Sequence, residues 1–286
     1  MTVALTGASG QLGRLTADRL PERVDPADVV LITRNPDALA EYAGRGVTVR
    51  AADFDRPETL PAAFAGVEQL LLISGDQVGS RLDGHRNAIA AAVDAGVRHL
   101  LYTSISEPVE ANPAAVVPDH AATEQALRDS GVHAWTSLRN NLYTEMQVPT
   151  VEQAAQSGQL VTNYGDGAAA FVTREDCAAV AAAVLAAEVP SAGEHVVDVT
   201  GPEAVSADDL AALASTLRGE PVEVVRLDDE SYVQGLVGAG LPEEVARLLA
   251  SFGSSTRLGY LAAVSPAVEQ LTGRPATRLA DLLPQR

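Results

Sequence analysis

One cysteine, Cys177, in 286 residues excludes an internal disulfide and points to a compartment where thiols stay reduced. It lies in the alanine-rich helical stretch 176–187, as an inert core thiol would. No apolar run reaches the roughly 18 residues that a membrane span needs. The N-terminus has no basic region and enters directly into a strand and a glycine loop, so it does not read as a signal peptide. Together these absences predict a cytoplasmic protein. Positive charge is scarce, with 20 Lys and Arg against 38 Asp and Glu and a formal net charge of −18. Nucleic acid and anionic membrane, which both need a basic face, are therefore not expected as partners. An anionic cofactor is not excluded, because a phosphate site needs only a few local donors. His85, His99, His133 and His195 are scattered without a metal-ligand spacing, so no metal is expected. A Gly-x-Ser-x-Gly nucleophile elbow is also missing.

What is present is an alternation. Apolar runs at Val3–Thr6, Val29–Thr33, Val47–Val49, Leu70–Ile73, His99–Thr103 and Ala134–Leu138 read as strands. Helical patterns lie between them, at Gln11–Leu20, from Pro36, at Arg81–Ala95 and at Ala121–Asp129. Strands apolar on both faces that alternate with helices predict a Rossmann-type α/β fold, a doubly wound parallel sheet with right-handed crossovers. Residues 1–150 read as a nucleotide-binding domain. Residues 151–286 read as remaining sheet elements and a smaller, mostly helical C-terminal lobe. That lobe has helices at Ser206–Leu217, capped by Ser206, at Leu241–Ala250 and at Pro266–Leu271. It is expected over the ligand edge of the sheet.

Gly7-Ala8-Ser9-Gly10-Gln11-Leu12-Gly13 joins the first strand to the first helix. Gly7 permits the sharp exit from the strand, Gly10 a close approach of a pyrophosphate, and Gly13 tight packing of the helix. The N–H groups at the helix start then face phosphate, assisted by the helix dipole. NAD sites usually place an acid at the tip of the second strand to hold the ribose 2′-OH. Here the tip is Thr33-Arg34-Asn35. Arg34 offers a fork of donors to a 2′-phosphate, which predicts NADP(H); a solvated loop arginine is the alternative. Asp53 and Phe54, after the third strand, would bracket the adenine, and Asp53 reads nearly as well as a plain turn residue. Ligands in open parallel sheets bind at strand C-termini. On that ground Ile73, Ser74, Gly75, Thr103, Arg139, Asn140 and Asn141 are expected near the cofactor, with Tyr143 walling the nicotinamide pocket. Ser104 is a turn residue or a substrate contact. Thr173-Arg174-Glu175-Asp176 reads as a helix cap with Thr173 as the cap, or as a ligand segment.

These residues carry a resemblance. The chain resembles the atypical short-chain dehydrogenase/reductases, in their NmrA-like branch, and within it the type-2 NAD(P)H:quinone oxidoreductases. The resemblance rests on the Gly-x-x-Gly-x-x-Gly loop, Leu70-Leu71-Leu72-Ile73-Ser74, His85-Arg86-Asn87, Tyr102-Thr103-Ser104 and Leu138-Arg139-Asn140 followed by Tyr143-Thr144-Glu145. It continues through Gly165-Asp166-Gly167, Thr173-Arg174-Glu175-Asp176 and Leu271-Thr272-Gly273-Arg274-Pro275, and so covers essentially the whole chain. It implies a Rossmann fold, NADP(H) and a small quinone-like substrate. Tyr143, Asn140 and His120 are the candidate catalytic residues, and a homo-oligomer is a possible assembly.

The chain departs from the wider superfamily at the Tyr-x-x-x-Lys pair, where it has His120-Ala121-Ala122-Thr123-Glu124. Lysine lowers the tyrosine pKa and holds the nicotinamide ribose; glutamate would do neither. Ketone–alcohol chemistry suffers from that loss. Quinone reduction suffers less, because the product oxyanion is stable and water can protonate it. His120 reads as a helix-surface residue or as a substitute proton donor. The readings that remain are a quinone reductase, an NADP(H)-binding redox sensor without turnover, and a reductase or epimerase of another carbonyl compound or sugar nucleotide.

Overall fold

The computed structural model describes residues 1–284. Its strands are β1 (Val3–Leu5), β2 (Val29–Thr33), β3 (Thr48–Ala51), β4 (Gln69–Leu72), β5 (His99–Ile105), β6 (Ala134–Asn140), β7 (Gln159–Thr162), β8 (Ala168–Ala169), β9 (Gly193–Val199), β10 (Val205–Ser206) and β11 (Glu223–Arg226). Its α-helices are α1 (Gln11–Arg19), α2 (Ala40–Ala43), α3 (Leu60–Phe64), α4 (Leu82–Asp94), α5 (Val117–Asp129), α6 (Val148–Ser157), α7 (Arg174–Leu185), α8 (Ala207–Arg218), α9 (Asp229–Gly238), α10 (Glu243–Arg257), α11 (Ala267–Thr272) and α12 (Leu279–Leu282).

Seven strands form one parallel sheet in the order β3-β2-β1-β4-β5-β6-β9. The order reverses between β1 and β4, so the strand ends there open a crevice. Leu70, Leu71 and Leu72 of β4 are fully buried, as the apolar runs require of a sheet covered on both faces. One face packs Leu5, Leu31, Leu101 and Leu138 against α1 and α7. The other packs Leu70, Leu100, Tyr102 and Trp135 against α3, α4 and α5.

The boundaries shift from the sequence reading for local reasons. Helix α5 starts at Val117, with Pro118 in its first turn, where a missing N–H costs nothing. Helix α10 runs from Glu243 to Arg257, beyond the Ala250 expected, with Pro242 before it. Strand β9 was not anticipated. It is the sheet edge and mostly exposed, and so lacks the apolar signature of its neighbours. It also returns part of the C-terminal half to the main sheet, together with α7, which packs on α1. Thr173 caps α7 by accepting from the Asp176 amide, and Ser206 with Asp209 forms a capping box on α8. The lobe adds two small sheets, β10 with β8 and β11 with β7. Among the described residues no helix is long and apolar enough to cross a membrane.

Candidate cofactor and substrate site

At the reversal point lies a cleft of about 280 Å³. Of the residues expected at the cofactor, Gly7, Ser9, Gly10, Arg34, Asp53, Phe54, Ile73, Ser74 and Gly75 line it. The topology thus brings together four loops, those following β1, β2, β3 and β4. Gly7 has φ +61°, a left-handed turn that glycine adopts without strain. A Cβ on Gly13 would stand 2.2 Å from the Gly7 carbonyl oxygen, so that glycine closes the loop onto its own helix. A Cβ on Gly10 would meet protein only at the Gly7 oxygen, at 3.2 Å. Helix α1 begins at Gln11 with no side chain capping it, which leaves its first amide hydrogens available to an anion. These features fit a pyrophosphate. Leu12 and Gly13 are buried and Gln11 is exposed, and none of the three lines the cleft.

Ser9 and Thr33 join their hydroxyls at 2.8 Å, and the Thr33 hydroxyl also accepts from the Asn35 amide. This fixes the chain on either side of Arg34, whose exposed side chain stands at the cleft. After β3 the Phe54 carbonyl accepts from Asn87, and Gly84 of α4 lets Phe54 approach: a Cβ there would be 3.0 Å from the Phe54 Cβ.

The loop after β4 carries the least anticipated feature. Three successive amides donate to side chains from three elements: Ile73 to Thr6 (3.1 Å), Ser74 to Thr103 (2.8 Å) and Gly75 to the His85 Nε2 (3.0 Å). Thr103, expected at the cofactor, instead holds the loop that lines the cleft. Arg81 and His85 also line it. Neither was singled out as a site residue, although His85 belongs to the His-Arg-Asn motif. Burial and the nearby Arg81 charge push the His85 pKa down to about 4, so the ring is neutral at pH 7.

Three readings beyond the cleft need correction. His120 is not a surface histidine: it is buried, with its Nδ1 2.8 Å from the Tyr102 hydroxyl. Burial, with Arg81 and His85 adding to it, drives its pKa well below 6.5. Arg139 is committed to Glu124, Nη2 to Oε2 at 2.8 Å, and Ser137 donates to the same carboxylate. Burial raises the Glu124 carboxyl, but these hydrogen bonds outweigh it and hold it below its ordinary value. Asn141 donates to the Leu261 carbonyl and accepts from the Leu142 amide, so it ties the sheet to the lobe. The sequence contains no lysine, so no other lysine can replace the one lost at Glu124.

At and just beyond the ends of β5 and β6, Ser104, Ser106, Asn140 and Thr144 each have a buried side-chain oxygen without a partner. Tyr143 packs its ring under Arg174, 4.2 Å from centroid to guanidinium carbon, and burial pushes its phenol above the ordinary value. Helix α10 closes this edge. Leu248 and Phe252 pack on Ile105, Ala114, Val116 and Val117, and Ser255 donates to Asn112. Asn112 in turn donates to the carbonyl of Glu107, which at φ +47° is the one non-glycine residue with positive φ among the described residues. No group of three or more His, Cys, Asp or Glu positioned to hold a metal ion occurs among the described residues.

A glycine loop under an uncapped helix, at the switch point of a parallel sheet, defines a dinucleotide-binding protein of the Rossmann class. The chain belongs to the NAD(P)H-binding family, whose profile matches residues 7–188. It is 37% identical to quinone oxidoreductase 2 of Escherichia coli (strain K12) over 98% of this chain and 96% of that one. It is 29% identical to the NAD(P)H azoreductase of Xenophilus azovorans, over 98% and 96%. Among solved structures it superposes on the NADPH-dependent quinone oxidoreductase of Escherichia coli complexed with NADPH, with a TM-score of 0.91, 36% identity and 98% of both chains covered. The triphenylmethane reductase of Citrobacter sp. complexed with NADP(H) matches at 0.88 and 34% identity, again over 98% of both. The Rossmann fold and the NmrA-like resemblance read from the sequence are borne out.

Proposed function

We propose that this protein is an NADPH-dependent oxidoreductase that reduces quinones by direct hydride transfer. The observation that carries the reading is the fate of His120 and Glu124. Both are buried and already engaged, so neither can act as an acid–base pair at a substrate alcohol. A quinone does not require one, since hydride transfer gives a stable hydroquinone monoanion that takes its single remaining proton from water after the transfer. The full-length likeness to a quinone oxidoreductase supports the same choice.

When bound, NADPH supplies the hydride; the protein supplies placement. The glycine loop and the start of α1 hold the pyrophosphate, Arg34 the 2′-phosphate, and Asp53 with Phe54 the adenine. Asn140 and Tyr143 form the inner wall of the substrate site, where the unpartnered Asn140 oxygen can accept a hydrogen bond from a bound molecule. Helix α10 and its lobe cover the site and exclude water from the transfer. Oxidation of NADPH, followed by its absorbance against a panel of quinones with and without protein, tests this reading. Saturable, quinone-dependent oxidation is expected. Tight NADPH binding with no turnover on any quinone would overturn it in favour of a sensor.

A further inference from the structure

Gly75 is held at both of its backbone polar groups by buried side chains of one short segment. Its N–H donates to the His85 Nε2 at 3.0 Å, and its carbonyl accepts from the Arg81 Nη1 at 2.8 Å. An amide can only donate, so the His85 Nε2 carries the lone pair and the ring proton sits on Nδ1. That nitrogen lies 2.9 Å from the Thr123 hydroxyl, which donates onward to the Asp119 carbonyl at 2.7 Å. The chain of donors therefore runs one way, from Gly75 through His85 and Thr123 to Asp119. Arg81 ends on the same residue, with its Nε 3.1 Å from the Asp119 Oδ2, which also accepts from the Gly79 amide at 2.7 Å. His85 is 0% exposed and the Arg81 side chain 7%. Helix α5 thus grips both ends of the loop 75–81.

We propose that His85 and Arg81 are positioning residues of the cofactor cleft, which lock the Ser74–Gly75 wall in its binding geometry from the side of α5. The proposal rests on the reading that NADPH occupies this cleft. Its chemistry follows from the three amides at 73–75. All three hydrogens are spent on Thr6, Thr103 and His85, so this wall has no amide donor left for a ligand. Such a wall suits the hydroxyls of a ribose and is unsuited to a phosphate. The phosphates are left to the free amides of the glycine loop and the start of α1. Without the His85 acceptor, the Gly75 peptide is free to turn its N–H into the cleft, where it would oppose ribose hydroxyl donors.

The test compares His85→Leu with His85→Gln, whose amide can accept from Gly75 and donate to Thr123. NADPH affinity is measured by calorimetry and quinone turnover by kinetics. His85→Leu is expected to raise the Kd and KM for NADPH at least tenfold, with kcat at saturating NADPH within about threefold of wild type. His85→Gln is expected to restore the Kd to within about threefold. Thr123→Val, which keeps the volume but removes the acceptor of the Nδ1 proton, is expected to raise the Kd severalfold and serves if His85→Leu does not fold. Wild-type Kd values in folded His85→Leu or Thr123→Val, or equal losses in the Gln and Leu variants, would overturn the clamp while leaving the cofactor reading intact. Failure of the wild-type protein to bind NADPH at all would overturn that reading and the clamp with it.

Discussion

Glu124 and Arg139 face each other at 2.8 Å across the end of β6, and this pair decides what the site can do. Glu124 stands where the resemblance to the wider superfamily would place a lysine. In its place is a carboxylate whose pKa burial raises and whose hydrogen bonds to Arg139 and Ser137 lower by more, so that it lies below the ordinary value. The ion pair therefore belongs to the scaffold that joins α5 to the end of β6, and the proposed hydride transfer would rely on placement.

Removing Glu124 should cost stability more than chemistry. Breaking a fully buried ion pair typically costs about 3–5 kcal/mol. The Arg139 side chain keeps 23% exposure, so water can solvate it in part, and Glu124→Ala is expected to cost about 2 kcal/mol in urea denaturation. Turnover at saturating substrate should stay within about tenfold of wild type. An unchanged denaturation midpoint would show that the pair contributes nothing net.

His120→Gln probes the acid directly. A required general acid contributes roughly 10²–10⁴-fold to rate. With His120 buried, neutral and bonded to Tyr102, the variant is expected to lose less than about tenfold in kcat. A thousandfold loss in a folded, NADPH-binding variant would make His120 the proton donor.

Arg34→Ala should discriminate between cofactors. A charge-assisted contact contributes about 1.5–3 kcal/mol, so NADPH binding is expected to weaken about ten- to hundredfold while NADH binding changes little. Equal losses for both would remove Arg34 from the 2′-phosphate.

Gly10→Val should abolish NADPH binding with little loss of fold, because its side chain would occupy the space of the pyrophosphate. Undiminished binding in calorimetry, with native circular dichroism, would refute the loop assignment.

Acid should destabilise the protein well before its carboxylates protonate. Burial lowers His85 and His99 from 6.5 to about 4. Between those values the unfolded chain binds protons that the folded one does not, so stability falls as pH falls. Each histidine is expected to cost roughly 3 kcal/mol by pH 4. Urea midpoints at pH 7, 5.5 and 4.5 check this; a flat profile would show that both rings protonate in the native state, and a slope of half the expected size that one does.

The sequence alone determined the sheet and the cofactor. Strands buried on both faces must be apolar throughout, so β1, β2, β4, β5 and β6 were legible, and Gly7, Gly10 and Gly13 marked the loop by their spacing: Gly7 takes a left-handed turn, and Gly13 has no room for a side chain. The place of Arg34 at the cleft was legible because it directly follows β2. What stayed hidden was set by contacts between residues distant in the chain. Strand β9 is an exposed edge and carries no apolar pattern. His85 meets Gly75, ten positions away, because α4 folds back on the loop; it then reaches α5 through Thr123. Helix periodicity gave no sign that His120 would face Tyr102 or that Glu124 would meet Arg139, since which polar residue turns inward depends on the partner that awaits it there. Tertiary structure decided these roles for the same reason that it decides burial: a polar side chain can leave water only where another element supplies its hydrogen bonds.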